Sequence, residues 1–111
     1  MGDEMKDYNL SLAANGKPIE LTGFPQDFVI KTLIGMVSSL KGVQEINSLE
    51  LTLRYGKVKL SINGNPISVG PFPTLITAKT LIAIASTLKG VENEITSLEI
   101  KMEAKPLPVR D

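Results

Sequence analysis

Leu10 and Leu12 alternate with Asn9, Ser11 and Ala13, the period-2 pattern of a strand with one face buried. Asn15-Gly16 follows, the strongest short hairpin signal, because Gly accepts the positive φ of a type I′ turn and Asn tolerates it. Folding the chain there sets Leu12 against Ile19 and Leu10 against Leu21, apolar opposite apolar. Beyond Pro25 the period changes. Val29, Ile30, Leu33, Ile34, Met36, Val37 and Leu40 fall on one broad arc of a helix, with Lys31, Thr32, Ser38 and Ser39 opposite. Pro25 is tolerated in a first turn, and Lys41-Gly42 has the cation and glycine suited to a helix end. Alternation then returns in Leu49, Leu51 and Leu53. The predicted order is strand, tight turn, strand, helix, strand.

The same order appears twice. Residues 15–43 and 63–91 are identical at fifteen of 29 positions, where average composition gives roughly two by chance. After one inserted residue, QEINSLELTL (44–53) continues against NEITSLEIKM (93–102), with five of ten identical. The pattern reads as an intragenic duplication, with repeat 1 at about 8–54 and repeat 2 at about 57–102. Two copies do not make a solenoid, which needs three or more. In the second copy Asn63-Gly64 pairs Leu60 with Ile67 and Val58 with Val69. Pro73 precedes the helix, Lys89-Gly90 ends it, and Leu98, Ile100 and Met102 alternate after it.

Arg54-Tyr55-Gly56-Lys57 joins the copies. A two-residue turn at Tyr55-Gly56 sets Leu53 against Val58, Leu51 against Leu60 and Leu49 against Ile62, at the expense of an unfavourable Tyr conformation and of facing Arg54 with Lys57. With no linker between them, and with about 48 residues too few to be secure alone, the copies are expected to share one core in a single domain, 1–111. If neighbouring strands stay adjacent and crossovers are right-handed, the result is an α+β fold: tandem ββαβ units in a mixed sheet with two helices packed on one face. In element order alone, two ββαβ halves about a pseudo-twofold also resemble the six-stranded cradle-loop barrels, which makes such a barrel the alternative. Residues 103–111 read as a C-terminal tail, since Pro106 and Pro108 interrupt any strand or helix.

Composition narrows the chemistry. Twelve Lys+Arg balance twelve Asp+Glu, and Cys, His and Trp are all absent. Disulfides, thiolate and imidazole catalysis and nearly all zinc sites are thereby excluded. Zero net charge argues against nucleic acid and membrane surfaces, which require clustered cations. No run approaches the ~20 apolar residues of a membrane span. The opening Met1-Gly2-Asp3-Glu4-Met5-Lys6-Asp7 lacks a hydrophobic signal core and has Lys6 where myristoylation wants a hydroxyl, so a cytoplasmic location is expected.

The remaining candidates for chemistry have simpler readings. Ser38/Ser86 and Lys31/Lys79 recur on the polar helix faces, but seven residues put about 10 Å between nucleophile and base. Glu50 and Glu99, beside Lys57, Lys59 and Lys101, suit charge pairing on a wet sheet face. Neither glycine turn carries a phosphate-loop pattern. That sheet face also offers no aromatic for base stacking.

One asymmetry stands out. Where the first helix has Asp27 and Gly35, the second has Leu75 and Ala83, and Phe28 is matched by Ile76. Phe28, Leu75, Ile76 and Ala83 project away from the core arc and form a candidate interface. The expected function is a non-catalytic protein-interaction or self-assembly module, without cofactor or metal, whose partner is another protein or a second copy. The alternative is a small-molecule-binding protein with a pocket at the junction between the two repeats. An enzyme using Lys, Ser and carboxylates alone ranks third.

Overall fold

Three tight turns set the register of three of the five strand pairings. Asn15-Gly16, Tyr55-Gly56 and Asn63-Gly64 each have positive φ at both positions, between 47° and 82°, as a type I′ turn demands. The computed structural model describes residues 7–39, 45–68, 70–88 and 94–105, and only the backbone of residues 71–73. Around the turns run β1 (Tyr8–Ala14) and β2 (Lys17–Ile19), then β3 (Ser48–Arg54), β4 (Lys57–Ile62) and β5 (Asn65–Ile67). The helices are α1 (Gly23–Ser38) and α2 (Pro71–Ala85), and β6 (Ser97–Ala104) closes the chain. Leu12 pairs with Ile19, and Leu60 with Ile67. Leu53, Leu51 and Leu49 pair with Val58, Leu60 and Ile62, all as the alternation predicts. The expected Leu10–Leu21 pair does not form, because β2 ends at Ile19; Val69, expected opposite Val58, lies outside the described residues.

Among the described residues the fold is α+β: six strands in one open sheet, ordered β2-β1-β6-β3-β4-β5, with two helices. Every pairing is antiparallel. This corrects the expected mixed sheet. The third strand of each half joins neither strand of its own hairpin: β3 lies between β6 and β4, and β6 between β1 and β3. Both helical connections therefore link antiparallel strands, to which the right-handed crossover rule does not apply. The sheet is also open, with β2 and β5 at its edges, and not closed into a cradle-loop-like barrel. Both edges are three residues long and carry a proline, Pro18 and Pro66, which shortens and breaks the row of free donors that invites edge-to-edge pairing.

One sheet face is apolar. Leu12, Leu49, Leu51, Leu53, Leu60, Ile62, Leu98, Ile100 and Met102 join the helix residues Val29, Leu33, Val37, Ala78, Leu81 and Ala85 in a single buried cluster. Removal of these side chains from water is the main drive for the two-layer arrangement. The other face carries exposed Ser11, Glu50, Lys59, Glu99, Lys101 and Glu103. There Glu50 sits opposite Lys101, and Arg54 reaches Glu99 at 3.9 Å between two exposed side chains, a contact of little energetic weight.

The helices start two residues before the prolines and stop before the expected Lys-Gly ends. Ser39 Oγ donates to Met36 O at 2.6 Å, and Ser86 Oγ and Thr87 Oγ1 donate to Ile82 O and Ile84 O at 2.7 Å. These hydroxyls satisfy carbonyls that a terminating helix leaves open. Lys41-Gly42 and Lys89-Gly90 lie outside the described residues. At the far end, β6 takes in Glu103 and Ala104, two residues that the sequence assigned to the tail. Residues 106–111 lie outside the described residues.

Candidate functional site

Helix α1 exposes an apolar pair one turn apart. Phe24 and Phe28 stack with ring centroids 5.7 Å apart, the i, i+4 spacing that places side chains over one another on a helix. They remain 75% and 47% exposed, because the buried stripe of α1 runs through Val29, Leu33 and Val37 on the opposite side. On α2 the buried stripe is Ala78, Leu81 and Ala85, which leaves Leu75 and Ile76 54% and 48% exposed, and Ala83 exposed as well. Phe28, Leu75, Ile76 and Ala83 thus all lie on the outer side of the helix layer.

The structure brings two of the four together. A groove of about 360 Å³ runs between the helices, with Phe24, Pro25 and Phe28 on one wall and Ala83, Ile84, Thr87 and Leu88 on the other. Leu75 and Ile76 do not line it. Phe24 belongs to the strip, but both halves of the chain have Phe at that position, so it is no part of the difference between them. Ile84 and Leu88 fall at the margin of the core arc, so they contribute both to the core and to the groove wall.

The remaining candidates are solvated. Lys31, Lys79, Ser38 and Ser86 are exposed. Lys31 shares a depression of about 290 Å³ with Asp7, Asp27 and Lys105, and both carboxylates are exposed to water. Among the described residues no group of three or more carboxylates gathers to hold a metal ion, and no helix is long and apolar enough to cross a membrane.

A second constellation, silent in the sequence, is structural. Asn15 Oδ1 accepts from the backbone N–H groups of Thr96 at 2.8 Å and Ser97 at 3.2 Å, while its Nδ2 donates to Glu94 O at 2.9 Å. Asn63 repeats the arrangement with Asn47 at 2.7 Å, Ser48 at 3.0 Å and Glu45 O at 2.8 Å. Each turn asparagine therefore fixes the entry to the third strand beside it. The signal available for this was the recurrence of Glu-Ile-x-Ser, at 45–48 and 94–97, ahead of both strands.

The chain matches no protein-family model, no curated protein and no solved structure.

Proposed function

We propose that this chain is a non-catalytic self-assembly module made by tandem duplication, which associates through the outer side of its helix layer. One observation carries the reading: Phe24, Phe28, Leu75 and Ile76 are 47–75% exposed on the two helices while the sheet's solvent face is polar. Exposed apolar area concentrated on one layer marks an interaction surface more often than chance. The favoured partner is a second copy. A twofold dimer sets one patch against the same patch of its copy, so a single apolar strip on the helix layer serves both partners. Zero net charge removes the repulsion that keeps like molecules apart.

Duplication is supported by the fifteen identities in 29 positions and by the strand order, which reads the same from either end when β1, β2 and β3 are exchanged for β4, β5 and β6. An ancestral homodimer of the single repeat would build this sheet by the same pairings. Placement in the cytoplasm belongs with this reading.

The alternative is a small-molecule binder, favoured by the groove between the helices, whose size falls in the ordinary range of ligand sites and whose walls come from both repeats. Sedimentation equilibrium with the wild type and Ile76→Glu tests the first reading. A thermal-shift screen against metabolites tests the second, because a ligand bound only by the native state raises Tm.

A further inference from the structure

The two halves of the chain share their sheet so completely that neither has a ladder for its own third strand. All pairings of β3 and β6 cross between residues 8–54 and 57–104; only the short hairpins β1–β2 and β4–β5 pair within a half. Yet just two residues, Tyr55 and Gly56, connect the halves. We infer that the chain exchanges halves with a second copy, residues 8–54 of one protomer completing the sheet of residues 57–104 of the other, and reciprocally. This mode is independent of the helix layer.

Exchange retains the strand pairings and the core residues, and changes the path of the chain at the turn alone. That turn is poorly suited to its residue. Tyr55 holds φ at 47° with its side chain 81% exposed. A bulky residue in the left-handed region is strained, and here packing repays little of it. At the other two turns the same position is Asn, which tolerates that conformation. Short, strained hinges joining complementary units are the setting in which exchange occurs.

Strand parity supplies a decisive variant. The hairpin places Leu53 and Val58 on one face although they are five positions apart, whereas a continuous strand brings only even separations to the same face. An opened wild-type linker must therefore kink. Deletion of Gly56 makes that separation four, so Leu49, Leu51, Leu53, Tyr55, Val58, Leu60 and Ile62 alternate without a break. The single residue left between Arg54 and Lys57 cannot close a hairpin.

The test uses full-length chains. The Gly56 deletion is expected to sediment at twice 12.0 kDa with the far-UV circular dichroism of the wild type, and to stay dimeric when Ile76→Glu is added. A folded monomer, or a dimer that Ile76→Glu dissociates, overturns the inference. If the deletion does not fold, a mixing experiment with the wild-type turn decides. Leu33→Asp and Leu81→Asp each bury a charge in the shared core, one from each half. Refolded together, the two chains are expected to regain a cooperative native transition absent from either alone, built from the intact half of each. A mixture no more structured than its components overturns exchange.

Discussion

Asn15 accepts a hydrogen bond from the backbone N–H of Thr96 at 2.8 Å, across 81 residues of chain. The tip of the first hairpin thereby anchors the entry to β6, and Asn63 anchors β3 in the same way through Asn47 and Ser48. Replacement by Gly retains the positive φ and removes the side-chain bonds, so Asn15→Gly and Asn63→Gly are each expected to cost about 1–3 kcal/mol. Replacement by Ala adds the strain of a left-handed non-glycine residue and is expected to cost about 1 kcal/mol more. Urea unfolding of the four variants reads both differences.

Tyr55 occupies the same backbone region without such bonds from its side chain to the sheet. Tyr55→Asn copies the residue used at the other two turns and is expected to stabilise by about 1 kcal/mol, seen as a rise of several degrees in Tm. An unchanged or lower Tm would mean that the exposed ring contributes more than its conformation costs.

Tyr8 is buried, and its hydroxyl donates to Ile46 O at 2.7 Å, tying the start of β1 to the segment before β3. Tyr8→Phe retains the ring and removes this bond, for an expected loss of about 1–2 kcal/mol in denaturant unfolding.

Because each half contributes the strand that the other half's hairpin needs, no half is expected to unfold alone. Leu33→Ala and Leu81→Ala, both at fully buried positions, are each expected to cost about 2–5 kcal/mol while leaving one calorimetric transition whose enthalpy equals the van't Hoff value. Two resolved transitions in either variant would show the halves to be independent.

The alternation made the faces and hairpin registers legible. Leu12 with Ile19, and Leu51 with Leu60, follow from parity and turn chemistry alone. Strand neighbours across the centre were not legible, since parity says which side Leu98 and Ile100 face and nothing about which strand lies beside them. Hence β6 was not expected between β1 and β3, and the sheet was expected to be mixed. The outward direction of Phe28, Leu75, Ile76 and Ala83 was legible from helical spacing. The groove was not, because it depends on how α1 and α2 lie against each other, and only that approach brings Phe28 near Ala83. The asparagine anchors were hidden for a similar reason: Asn15 and Asn63 already had a local explanation as turn residues.

Self-association through the helix layer is tested most directly by sedimentation equilibrium over a hundredfold range of concentration at moderate salt. The account predicts a weight-average mass that rises above 12.0 kDa with concentration, and a weaker rise when Phe28→Glu or Ile76→Glu places a charge on that surface, a change that a half-exchanged dimer would not show. A mass fixed at 12.0 kDa throughout, or association that both substitutions leave unchanged, would contradict it.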